Sequence, residues 1–233
     1  PYLVYADLAA NLRYSRKQEV SQYLQDYAGT IKAGHLLNHW LDYLAKHQHW
    51  DAFISFYEPQ GASSKQQCQF QLARYYADPE DPQLNQRREQ ALTAAMELWN
   101  VGKSQPNQCD KLFTHLSADN RITEALAWQR FNKALLNHQF QLARYLERFF
   151  KSPHYSKLAK LYYQADRSPQ SIKQFGAFNS DSPEELGIIQ HALVHLAHRD
   201  SHASLKYWSH YQQTHEFSHG ARSAIVSAII KGL

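Results

Sequence analysis

Apolar positions along this chain recur with the spacing of helices. Val20, Tyr23, Leu24 and Tyr27 fall at i, i+3, i+4 and i+7, and the pattern stops at Gly29. Leu36, Leu37, Trp40, Leu41 and Leu44 form one broad stripe in "AGHLLNHWLDYLAKH". Such stripes are the apolar faces of amphipathic helices. The same signal runs through "WDAFISFYEPQG", "QCQFQLARYYADP", "NQRREQALTAAMELWNVG" and "CDKLFTHLSAD". It continues in "ITEALAWQRFNKALLNH", "FQLARYLERFF", "HYSKLAKLYYQAD", "SPQSIKQFGAF", "SPEELGIIQHALVHLAHRD", "SHASLKYWSHYQQTH" and "SHGARSAIVSAIIKGL". Nearly every break carries Gly, Pro, Asn, Asp or Ser, the residues that end helices and open turns. No run alternates with the period of a strand for more than a few residues. About thirteen short helices with brief connectors are predicted, in one domain spanning 1–233 and without a linker-like tract.

An internal echo refines this. "QFQLARY" occurs at 69–75 and again at 139–145, an offset of 70 residues, or twice 35. Helix-hairpin repeats have units of about that length. Ala73 and Ala143 hold equivalent places, small enough for a partner helix to approach closely. The fold expected is all-α: a solenoid or superhelix of short paired antiparallel helices, forming a horseshoe or ring.

Composition narrows the function classes. A net charge of +4, with no run of five like charges, excludes nucleic acid as a main partner. No apolar stretch reaches the length of a membrane span. The chain opens at "PYLVYADLAA" without an initiator methionine and closes on "AIVSAIIKGL", so it reads as a stretch of a longer protein. Cys68 and Cys109 are the only cysteines; they form either a disulfide or two buried thiols. If bonded, their loop of about 40 residues contributes roughly 3–4 kcal/mol.

Several stretches invite a chemical reading. Gly102-Lys103-Ser104 looks like the end of a phosphate-binding loop, but position 97, where the first glycine belongs, is Glu97, and Pro106 follows closely. A helix end is expected instead, with Gly102 as a left-handed cap. His191, His195, His198 and His202 fall at i, i+4, i+7 and i+11. No Cys, Asp or Glu joins them on that face, and "HALVH" lacks the glutamate of H-E-x-x-H, so four solvated histidines are expected rather than a metal site. The pairs His35/His39 and His47/His49 read as surface or packing residues. Glu184 and Glu185 follow "SDSP", where Ser182 caps a helix, Pro183 opens it and the acids favour its positive end. Asp78, Glu80 and Asp81 read as an exposed acidic loop without the oxygen pattern of a calcium site. Neither cysteine carries the signature of a catalytic thiol, and no G-x-S-x-G occurs. No catalytic residue, metal or cofactor is expected.

"ELWNVGKSQPNQCDKLF", residues 97–113, resembles a segment of the soluble lytic transglycosylases, periplasmic enzymes that cleave the peptidoglycan glycan strand. In that family a helix ending in E-L-W leads into a G-K-S-x-P loop and then C-D-x-L-F. The partner cysteine lies about forty residues upstream, as Cys68 does in "KQQCQFQLARYY". "PYLVYADL" resembles the family's first ordered helix, and "HWDAFISFY" its aromatic element. The likeness is specific over roughly 60–115 and looser elsewhere.

The resemblance implies a superhelical N-terminal scaffold, periplasmic, with a Cys68–Cys109 disulfide. In the family a linker domain closes a ring, and a lysozyme-like domain carries the catalytic acid in a Glu-Ser pair before a G-L-M-Q motif. That acid cleaves the MurNAc–GlcNAc bond, leaving 1,6-anhydromuramoyl ends. No glutamate here precedes serine, and the sole methionine is Met96. Catalysis is therefore expected to reside in linker and catalytic domains outside this chain, and peptidoglycan to be met through the parent protein. Lys32, Lys46, Arg74 and Arg144 are candidate contacts for anionic muropeptides. The alternatives are a free-standing helical-repeat protein-binding module and, more weakly, a histidine-based metal binder.

Overall fold

The computed structural model describes residues 2–233, and every regular element among them is helical. The α-helices are α1 (Tyr2–Ala10), α2 (Lys17–Asp26), α3 (Ile31–Lys46), α4 (Trp50–Phe56), α5 (Ser64–Tyr76), α6 (Leu84–Trp99) and α7 (Asp110–Ala118). They continue with α8 (Glu124–Leu136), α9 (Phe140–Leu146), α10 (Pro153–Arg167), α11 (Pro183–Ala197), α12 (Ser201–Thr214) and α13 (His219–Gly232). The expected all-α class holds. One stretch differs. "SPQSIKQFGAF" forms two short 3₁₀ turns, Pro169–Lys173 and Phe175–Ala177, because Pro169 and Gly176 leave too few helix-forming residues between them.

The helices gather into two compact units, residues 1–149 and 150–233. In the first, sequential neighbours pack on one another: α2 on α3, α3 on α4, α4 on α5, α5 on α6, α6 on α7 and α8 on α9. The stripes read from the sequence are the ones buried. Val20, Leu36, Trp40, Leu44 and Phe53 are wholly inaccessible, with Tyr23 and Leu41 nearly so. Ala73 and Ala143 are both fully buried, while Phe70 is half-buried and Phe140 exposed. The echo keeps its small residue and not its aromatic one, since 69–75 lies within α5 whereas Gln139 caps α9. In the second unit α11 is central and packs against α10, α12 and α13.

What reverses the chain so often is a shared turn. At the end of α3, Gln48 N–H donates to the Ala45 carbonyl (3.2 Å) and His49 N–H to that of Leu44 (2.9 Å), with Gln48 at φ +56°. After α7, Asn120 and Arg121 make the same bonds to Ser117 and Leu116, with Asn120 at φ +54°. After α8, His138 and Gln139 bond to Leu135 and Ala134, with His138 at φ +56°. These are Schellman turns, which satisfy the last helical carbonyls through one left-handed residue. Starts are equally regular. Thr30, Ser63, Thr123, Ser182, Asp200 and Ser218 each accept a hydrogen bond from a backbone N–H three residues on.

The turn between α5 and α6 is closed by side chains. Arg87 Nε donates to the Arg74 carbonyl (2.9 Å) and Nη2 to those of Ala77 and Asp78, while Arg88 Nε reaches the Tyr75 carbonyl (3.0 Å). Asp81 accepts from Arg87 at 2.6 Å and holds it there. The "ADPEDP" stretch is thus a clamped helix C-terminus in which Asp81 is engaged, while Asp78 and Glu80 stay exposed.

Gly102 is buried, and it lacks the positive φ of Gly29 and Gly61, so the expected left-handed cap is corrected. Its need for glycine is proximity. A Cβ there would collide with the Lys133 carbonyl and the Asn137 amide of the neighbouring helix end. Gly34, inside α3, has open space around it. Gly102→Ala should destabilise the protein by about 1–3 kcal/mol. Gly34→Ala should stabilise it by about 0.5–1 kcal/mol. Urea unfolding of the two variants measures both, and equal midpoints would contradict the close approach.

Candidate functional site

The stretch between Trp99 and Asp110 is anchored at both ends. One face of α8 grips its near end. Lys133 Nζ donates to the Asn100 carbonyl (2.7 Å), and Asn100 Nδ2 donates to Gln129 (2.9 Å). Arg130, almost wholly buried, lies over the Trp99 ring (4.5 Å) and donates to the carbonyls of Val101 (3.2 Å) and Lys103 (3.4 Å). Burial lowers its pKa to about 10, so it stays charged at neutral pH against carbonyl dipoles and an aromatic face.

A covalent bond holds the far end. Cys68 in α5 and Cys109, just before α7, form a disulfide with Cα atoms 5.0 Å apart, both residues fully buried. The bond closes a 41-residue separation and ties α5 to the start of α7 across α6. Gly102-Lys103-Ser104 is therefore the path that brings Cys109 to its partner.

Grooves flank the connector on both sides, and Gln105 lines each. One, of about 620 Å³, lies among α4, α5 and α6. Its floor carries Tyr57 stacked on Phe70 (ring centroids 4.0 Å), with Gln67, Gln71, Glu97 and Lys103 around it. The other, of about 740 Å³, is lined by Trp99, Phe113, Tyr145 and Phe149, with Asp110, Arg130 and Arg148. Aromatic faces beside amide and charged side chains suit a ligand with both apolar and hydroxyl-bearing surfaces. Close by, His115 stacks on Tyr75 (4.3 Å) and pairs with the Tyr76 hydroxyl (2.8 Å); burial, then the Lys111 charge, lowers its pKa.

The four basic candidates do not converge. Lys32 sits over the Tyr5 ring (4.8 Å), and Arg74 bonds Gln71 and Gln90. Lys46 and Arg144 are exposed on separate helices. His35 and His39 are exposed on α3, whereas His47 and His49 pack on Tyr43 and Tyr14. Ser182 caps α11 and Pro183 opens it as expected; the Glu185 carboxylate accepts from the N–H groups of Asn179 and Ser180.

The four spaced histidines require correction. They do not share a helix face, because α11 ends at Ala197, His198 caps it and His202 belongs to α12. Nor are they all solvated: His191 is buried, and Asp166 of α10 meets it at 3.0 Å (Nε2 to Oδ1). The acid missing from the sequence pattern comes from the preceding helix.

No profile of a known protein family matches the chain. Over 135 residues, 58% of the chain, it is 31% identical to the soluble lytic murein transglycosylase of Escherichia coli, of which it covers 20%. The chain thus spans about a fifth of the length of the curated relatives it matches. The lytic transglycosylase Slt of Pseudomonas aeruginosa superposes on all of the chain with a TM-score of 0.82 at 26% identity, over 36% of that protein. The 70-kDa soluble lytic transglycosylase of Escherichia coli does so with a TM-score of 0.72 at 20% identity, again over 36% of its length, and supports the fold alone. In sequence over more than half its length, and in its all-α fold, the chain is related to soluble lytic murein transglycosylases. Among the described residues no helix is long and apolar enough to cross a membrane.

The disulfide is worth about 4 kcal/mol by loop closure. Protein refolded in reductant should therefore melt lower by on the order of 10 °C in a thermal scan. An unchanged melting temperature would mean that the noncovalent grip on the connector suffices.

Proposed function

We propose that this chain is a scaffold portion of a soluble lytic transglycosylase that acts on peptidoglycan in the periplasm. What carries the reading is the joint likeness to such enzymes: 31% identity over 135 residues, and a shared fold along the whole chain. In this reading both compact units belong to one superhelical region. Cleavage of the MurNAc–GlcNAc bond, leaving 1,6-anhydromuramoyl ends, is the work of parts of the parent protein outside this chain.

Several carboxylates are engaged in structural contacts, while Glu97 and Asp110 line the grooves. Asp7 and Glu19 pair with Arg16, Asp42 with Lys65, Asp81 with Arg87, and Glu89 with Arg121. Glu185 and Asp200 accept backbone N–H bonds at the ends of loops and the start of a helix. A general acid for glycosidic cleavage needs a carboxyl held protonated beside a substrate cleft. Pairing with arginine works the other way: the Arg16 hydrogen bond lowers the pKa of both Asp7 and Glu19. The disulfide suits an oxidising compartment.

Incubation of the chain with purified murein, beside an intact lytic transglycosylase, tests the assignment. Mass spectrometry of the soluble fraction should find 1,6-anhydro products in the control only. Anhydro products from this chain alone would contradict the scaffold reading.

A further inference from the structure

We propose that Asp166, His191 and His195 form a binding site for a divalent transition metal of the zinc class, clipping α10 to α11 within the second unit. The ligand-capable atoms of these three residues all lie within 4.8 Å of one another. The placement follows from helix geometry. Positions i and i+4 project from one face, so His191 and His195 emerge side by side, their ring centroids 4.1 Å apart. Asp166 lies in the last turn of α10, where its carboxylate already meets His191 Nε2 at 3.0 Å.

The donor set is the second argument. Two imidazole nitrogens and one carboxylate oxygen are a recurrent three-ligand set for Zn²⁺, leaving a fourth position for water. Ligands at about 2 Å from a tetrahedral ion stand about 3.3 Å apart. The His191–Asp166 contact is close to that spacing, and the remaining ligand atoms lie within 4.8 Å. The site is also walled. His191 is 8% exposed, and the buried Tyr162 ring packs on it at 4.8 Å. A partly buried site with preplaced ligands loses little freedom on binding. The ion would replace the direct His191–Asp166 hydrogen bond by two coordinate bonds. The metal would brace the two helices joined by the 3₁₀ segment 168–182, the longest stretch of the second unit without an α-helix.

The chain has fourteen histidines, so adventitious binding is the competing outcome. Calorimetric titration of the metal-free chain with Zn²⁺ should give one tight equivalent and a raised melting temperature. Co²⁺ should bind with the intense visible absorption of a four-coordinate ion. Asp166→Asn and His195→Ala should each weaken Zn²⁺ binding by more than about tenfold. The double variant His47→Ala/His49→Ala should keep it unchanged. Far-ultraviolet circular dichroism establishes that the variants fold, and the Co²⁺ spectrum of the unaltered chain gives a readout independent of them. Absence of a stoichiometric site, or binding that survives loss of Asp166 and His195, would overturn the proposal.

Discussion

The Cys68–Cys109 bond is the constraint on which the first unit depends. Short helices that pack mainly on their sequence neighbours bring in few distant contacts, and each pair contributes a modest share of the core. A cross-link between α5 and the start of α7 reaches past the nearest neighbour and fixes three helices at once. The noncovalent contacts around it are arranged to the same end. Arg130, Gln129 and Lys133 project from α8 onto the other end of the connector, so four successive helices share one anchored segment. The grooves beside it inherit their walls from that arrangement.

Elsewhere the architecture rests on small, repeated solutions to one problem, the unsatisfied carbonyls at a helix end. Four turns hold a left-handed residue that is not glycine, and the one at Asp78 is also closed by arginines from the next helix. Gln48 and His138 tolerate a conformation that costs about 1–2 kcal/mol. Packing of the flanking helices offsets that cost. These turns are the real structural repeat, more constant than the "QFQLARY" echo, whose two copies occupy different places in their helices.

The helices were legible because their apolar stripes are strong and seven of them begin after Ser, Thr or Asp. Some ends were legible from Gly and Pro, as at Gly29, Pro59, Pro79 and Pro169. Gln48 and His138 carry no such signal, since any residue can be forced into the left-handed region by its neighbours. The role of Gly102 was misread for a related reason: sequence shows that a glycine is present, while only the fold shows what approaches it. The histidines teach the same lesson. Spacing along one segment cannot reveal that a helix ends at Ala197, or that Asp166 arrives from 25 residues upstream. The cysteine pairing came from family resemblance, because two cysteines alone leave bonded and free states open.

Peptide-resolved hydrogen exchange on the Cys68→Ala/Cys109→Ala chain, beside the unaltered protein, tests the organising role of the cross-linked connector most directly. Protection should fall in 64–76 and 99–118 and remain unchanged in 153–233. Unaltered protection around the connector, or an equal loss in both units, would contradict the account.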